Sequence, residues 1–249
     1  MERMNHDGPQ GLAVSADGYT FAPSITSLTT GTTAPFGFKV IGKDGKPVKA
    51  YTPFHEKELH LVVVRRDLTG YQHLHPTRAA NGTWSVPLAV ASAGVYKAFI
   101  TFQPAGQTMP MPVTLAVDLM ASGDFSAVPL PKPATSASVH GFAVSLAGHV
   151  MVGTSELTFT ITRSGKPVTD LQPYLGAYGH LVALRVGDLA YLHVHPEGAP
   201  GEGTTPAGPR ITFDAPIPTT GQYRLFLDFK AGGLVHTAEF TVVASRMTM

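Results

Sequence analysis

The chain is written twice, and this duplication limits the fold more than any other feature of the sequence. Gly45-Lys46-Pro47-Val48 returns as Gly165-Lys166-Pro167-Val168, an offset of 120 residues. The same offset carries Pro53 to Pro173, Phe54 to Tyr174 and His60-Leu61-Val62 to His180-Leu181-Val182. It continues through Arg65, Tyr71, His73, His75 and Pro76 to Arg185, Tyr191, His193, His195 and Pro196. Upstream, Gly11-Leu12-Ala13-Val14-Ser15 matches Gly141-Phe142-Ala143-Val144-Ser145; downstream, Gly94, Tyr96, Phe99 and Phe102 match Gly221, Tyr223, Phe226 and Phe229 at an offset of 127. The offset changes in loops, where insertions are tolerated. The chain therefore divides into a tail at 1–9, a first domain at 10–120, a connector at 121–138, a second domain at 139–245 and a tail at 246–249. Pro129, Pro131 and Pro133 alternate within the Ser/Ala-rich connector, which predicts an extended, semi-rigid segment.

Within each copy the dominant period is two. Phe36-Gly37-Phe38-Lys39-Val40, Leu157-Thr158-Phe159-Thr160-Ile161 and Tyr223-Arg224-Leu225-Phe226-Leu227-Asp228-Phe229 alternate as half-buried strands do. Turn pairs at Asp44-Gly45, Asn81-Gly82 and Gly187-Asp188 separate such runs. About seven short strands in roughly 100 residues is the count of an immunoglobulin-like sandwich. The expected fold is all-β, with two tandem immunoglobulin-like β-sandwich domains arising from the duplication. The chain has no Cys, so the disulfide of true immunoglobulin domains and any thiolate metal site are both excluded. Trp84 has no equivalent in the second copy and reads as a packing residue.

Charge removes several function classes. Only 14% of residues are charged and the formal net charge is +1, so there is no basic surface for nucleic acid and no polybasic run for an anionic membrane. No apolar run reaches the roughly 18 residues of a membrane span. The stretch from Met1 to Pro9 lacks the apolar centre of an export signal, which predicts a cytoplasmic protein or a chain whose signal lies outside this sequence. No Gly-x-Ser-x-Gly elbow, phosphate-binding loop, dinucleotide fingerprint or His-Glu-x-x-His is present, and the chain is expected not to be an enzyme.

The chemistry concentrates in His60 to Pro76 and its twin His180 to Pro196, both spaced His-x12-His-x-His-Pro. Each reads as a β-hairpin. In the second copy a two-residue turn at Gly187-Asp188 sets Val182 opposite His193 and His180 opposite His195. All three histidines then share one face, because residues two apart on a strand point the same way. The offset gives the same set in the first copy: His60 opposite His75, with His73 beside them. Arg65 and Arg185 fall on the opposite face and are expected to make structural ion pairs. Three neutral imidazoles suit zinc, copper, iron or nickel and leave room for a fourth ligand. His236 and Met109 align as that ligand for the second and first sites, the thioether favouring Cu(I). Met4, His6, Met247 and Met249 add soft donors at the ends, whereas His55, His140 and His149 have no histidine at the matching position and read as solvated residues.

The string from His60 to Pro76, together with Asp170 to Leu184, resembles a family of bacterial, largely actinobacterial, secreted or lipid-anchored proteins loosely described as heavy-metal-binding. That resemblance implies an exported, immunoglobulin-like protein. Combined with the histidines, it leads to an expected extracytoplasmic metal-binding protein of the secreted or periplasmic kind, with copper preferred and zinc second. It would act as a chaperone, buffer or sensor whose partners are the metal ion and an envelope metal-handling protein. The ligand set would be His60, His73, His75 and Met109 in one site and His180, His193, His195 and His236 in the other. The alternative is a non-enzymatic envelope interaction or adhesion module whose histidines are structural.

Overall fold

In a computed structural model of the chain, residues 9–106, 111–200 and 203–246 are described. Their regular structure is entirely β, and no helix among them is long and apolar enough to cross a membrane. The chain forms two compact units that divide between Leu130 and Pro131.

In the first unit, strands numbered in chain order build two sheets. One is β1 (Ser15–Ala16), β2 (Tyr19–Pro23), β4 (Thr33–Ile41), β8 (Thr83–Ala89) and β7 (Thr77–Arg78), in that spatial order. The other is β3 (Ser27–Leu28), β10 (Val113–Ala121), β9 (Gly94–Phe102), β5 (Leu59–Arg65) and β6 (Gln72–Leu74). The alternation of Phe36, Phe38 and Val40 puts these side chains into one core with Leu61, Val63, Ile100 and Leu115 from the facing sheet. Trp84 is buried there, and its indole N–H donates to the Tyr51 hydroxyl at 3.2 Å. Burial pushes the Tyr51 phenol up to about 12, so it remains a neutral donor and acceptor.

The second unit comprises β11 (Ser136–Val139), β12 (Phe142–Ala147), β13 (Gly153–Arg163), β14 (Lys166–Pro167), β15 (Gly179–Arg185), β16 (Tyr191–Pro196), β17 (Arg210–Ile217), β18 (Gly221–Ala231) and β19 (Leu234–Ala244). Its strands run β11-β12-β13-β17-β16-β15-β18-β19, with β14 beside β13. Strand β16 joins the two layers: Val194 pairs with Leu181 on β15, while His195 and Pro196 pair with Asp214 and Phe213 on β17. In the first unit the same crossing is broken at His75-Pro76, so β6 pairs with β5 and β7 with β8. Proline offers no backbone donor, which suits a strand leaving one ladder for another. The His-x-His-Pro string is thus the corner where the chain changes sheets, and the two copies form two tandem immunoglobulin-like sandwiches.

Three details differ from the sequence-based picture. The hairpin turn is longer than two residues: Val186 donates to Gln222 instead of closing on Leu189, and the loop closes by Leu189 N–H to the Arg185 carbonyl and Arg185 N–H to the Ala190 carbonyl. The pairing of Val182 with His193 is nonetheless the expected one. On β18, the polar positions of the alternating run are buried, not solvated. Arg224 donates to Thr241 and Glu239, and Asp228 accepts from Thr237 at 2.6 Å. The segment read as a connector is shared between the units. In the first, Val128 N–H donates to Asp67 at 2.9 Å; in the second, Ala134 N–H donates to the Thr241 carbonyl and β11 begins at Ser136.

Candidate metal centre

Strand β5 supplies His60 and β6, which pairs with it, supplies His73; His75 follows in the break between β6 and β7. Leu61 pairs with Leu74, Val62 with His73 and Val63 with Gln72, so His60 and His73 project from the face opposite the core residues Leu61 and Val63. His75 lies two residues beyond His73 on the same face. The three ring centroids are 5.4, 5.1 and 4.8 Å apart for the pairs His60–His73, His60–His75 and His73–His75. One ligand nitrogen from each ring lies within 4.8 Å of the other two.

The loop before β5 fixes the first of these rings. Phe54 and Lys57 exchange backbone hydrogen bonds around His55 and Glu56, both at positive φ (47° and 61°), so the loop is a tight turn of the left-handed type. It presents the Phe54 carbonyl to His60 Nε2 at 2.8 Å. A carbonyl only accepts, so Nε2 carries the proton and Nδ1 keeps its lone pair. That Nδ1 faces His73 Nε2 at 3.2 Å. Two nitrogens at this separation, each about 2.0–2.1 Å from a shared ion, subtend about 103° at it, close to a tetrahedral angle. His60 is 6% exposed, whereas His73 and His75 are partly exposed, so the cluster has a dry side and an open one. His55 adds a fourth ring, 6.2 Å from His60.

The second copy repeats the frame. Tyr174 and Ala177 exchange the same backbone bonds around Leu175 and Gly176, and the Tyr174 carbonyl accepts from His180 Nε2 at 2.8 Å. The Tyr174 ring packs edge-on to His180, and burial, reinforced by the charge of Asp228, raises its phenol to about 12. His193 pairs with Val182 and His195 with Asp214, and the side chains of both lie outside the described residues. Met109 also lies outside them, as do Met4, His6, Met247 and Met249.

His236 is not brought to His180. It pairs with Phe229 on β18, whereas His180 pairs with the adjacent Asp228, and neighbouring strand residues point to opposite faces. Its ring packs on Phe142 and Phe229 at the core margin, and its Nδ1 lies 3.0 Å from Nδ1 of His140. Alignment with Met109 predicts a place beside the triad; the period of two sends His236 to the other side of the sheet.

Each hairpin is closed by an arginine–aspartate fork. Arg65 Nε and Nη2 donate to the two carboxylate oxygens of Asp67 at 2.9 and 2.6 Å, and Arg185 does the same to Asp188. Burial alone would raise the Asp67 carboxyl, but Arg65, the Val128 amide and Thr69 outweigh it and hold the group below its usual range. At Asp188 the bond from Arg185 is the leading cause of the same downward shift. The two aspartates are 121 residues apart, one more than the offset of the histidines, which hides their equivalence in a gapless alignment.

No curated protein matches the chain. Among solved structures, an Escherichia coli adhesin, FdeC, is 14% identical over 93% of this chain and 65% of its own, with a TM-score of 0.30. Invasin, a bacterial integrin-binding protein, is 13% identical over 93% of this chain and 41% of its own, with a TM-score of 0.28. The chain thus spans less than two thirds of either protein. A family model fits it twice, at residues 13–118 and 137–246, and the chain belongs to that family, described as a domain of unknown function (DUF8832).

Proposed function

We propose that this chain is an extracytoplasmic transition-metal-binding protein, with His60, His73 and His75 as one site and His180, His193 and His195 as its counterpart. The observation that carries the reading is the convergence of three imidazole nitrogens within 4.8 Å, with the Phe54 carbonyl leaving the His60 Nδ1 lone pair directed at the cluster. A ligand histidine whose second nitrogen donates to a carbonyl is the usual support for a bound ion. The near-tetrahedral opening and all-imidazole donors suit copper or zinc, with copper the first choice and zinc the second. Binding and release, as a buffer, chaperone or sensor, is the activity this implies. Imidazole 15N shifts of labelled protein test it. On addition of Cu(I) or Zn(II), His60 Nδ1 is expected to move while Nε2 keeps its proton; His60 shifts unaltered by either ion would remove the reading.

The second reading is an envelope interaction module with structural histidines. The observation favouring it is the repeated carbonyl contact itself, since Phe54–His60 and Tyr174–His180 would also serve to pin a loop to a strand. His60→Gln separates the two: its amide nitrogen reaches the place of Nε2 and keeps a donor for the Phe54 carbonyl, so a pinned loop survives it, whereas metal affinity falls.

A further inference from the structure

The second domain carries another pair of imidazoles with no part in the triads. His140 occupies a tight turn between β11 and β12, where Val139 pairs with Phe142 and the backbone is left-handed at both His140 (φ 47°) and Gly141 (φ 82°). His236 comes from β19 and is 6% exposed. Three contacts fix its ring: Phe142 with centroids at 4.7 Å, Phe229 at 5.4 Å, and the Ala231 carbonyl 3.2 Å from Nε2. Since that carbonyl accepts, His236 Nε2 is the protonated nitrogen and Nδ1 presents a lone pair. The lone pair is aimed at His140 Nδ1, 3.0 Å away, and His140 is open to solvent.

We infer that His140 and His236 form a second kind of metal site, a two-imidazole chelate for a divalent ion of tetragonal preference, Cu(II) first and Ni(II) next. Two nitrogens 3.0 Å apart, bound at about 2.0–2.1 Å, subtend about 95° at the ion. That is the angle between neighbouring ligands in a square-planar or octahedral shell, which Cu(II) and Ni(II) favour with nitrogen and oxygen donors. The wider angle at His60 and His73 suits a tetrahedral ion instead. Binding exchanges the shared proton of the imidazole pair for the metal, and water fills the remaining positions on the solvent side. The first domain provides an internal contrast, because Gln10 stands where the repeat aligns His140.

The test uses the full chain carrying His73→Ala and His193→Ala, so that its outcome does not depend on the triads. One equivalent of Cu(II) is expected to give a tetragonal spin-resonance spectrum with coupling to two imidazole nitrogens. Paramagnetic broadening should centre on the amides of 139–142 and 231–237. His140→Asn keeps a residue that tolerates the left-handed turn, and it should leave the melting temperature unchanged while lowering Cu(II) affinity about tenfold or more. His236→Gln should abolish the same signal. A spectrum indifferent to His140→Asn, or broadening centred elsewhere, would overturn the inference.

Discussion

His60 Nδ1 stands 3.2 Å from His73 Nε2, although the two residues come from different strands 13 positions apart. Their approach follows from register: Val62 pairs with His73, so His60 and His73 are diagonal neighbours on one face of the β5–β6 pair. His75, further along the same face, completes a cluster that can hold an ion only while its imidazoles are neutral.

Metal affinity should therefore fall with acidity. Protons compete for the same lone pairs, so a titration series from about pH 8 to about pH 5 is expected to show binding weakening throughout. An affinity independent of pH over this range would point to other ligands.

The fork at the hairpin loop should matter more in the first domain than in the second. Arg65 and Asp67 have side chains only 5% and 8% exposed, against 19% and 40% for Arg185 and Asp188. Asp67→Ala leaves a buried guanidinium without its partner, at a cost of about 3 kcal/mol. Asp188→Ala removes a more exposed pair and should cost about 1 kcal/mol or less. Urea unfolding of the two variants measures the difference.

Acid should act through the same groups. Both aspartates have a folded-state pKa below the ordinary value, so their stabilisation is present above about pH 4 and is lost as pH falls through the depressed folded value. Urea midpoints of the parent chain should decline across that window. In Asp67→Asn the decline should be smaller, because one of the two linked groups is gone.

The turn that presents the Phe54 carbonyl holds Glu56 at φ 61°, where the second copy has Gly176 at φ 75°. A non-glycine residue in that region costs about 1–2 kcal/mol, and glycine returns part of this as extra freedom in the unfolded chain. Glu56→Gly should thus stabilise the first domain by up to about 1 kcal/mol, measured as a higher urea midpoint with unchanged slope.

Much of this was legible in the sequence because strands have a period of two and the chain repeats it. Phe36, Phe38 and Val40 announced their burial, and the 120-residue offset carried the histidine face from one copy to the other. The carbonyls of Phe54 and Tyr174 were not legible, since a backbone atom leaves no residue-type signature. Only the repeated Pro-Phe and Pro-Tyr pairs ahead of each first histidine hinted at a shared loop. The contact of His140 with His236 was not legible either, because the two are 96 positions apart and only strand order brings them together. Nor was the length of the hairpin loop fixed by its composition. Gly187-Asp188 has the composition of a two-residue turn, but Asp188 is used to bind Arg185 and the Ala190 amide, and those bonds need a wider loop.

The most direct test of the central claim is the stoichiometry of metal binding by chelator-stripped protein, titrated with Cu(I), Cu(II) and Zn(II) beside the His73→Ala/His193→Ala double variant. The account predicts about one Cu(I) or Zn(II) ion per domain in the parent chain, both lost in the variant. Binding of Cu(I) or Zn(II) that the double substitution leaves untouched, or no binding of either ion by the parent chain, would contradict it.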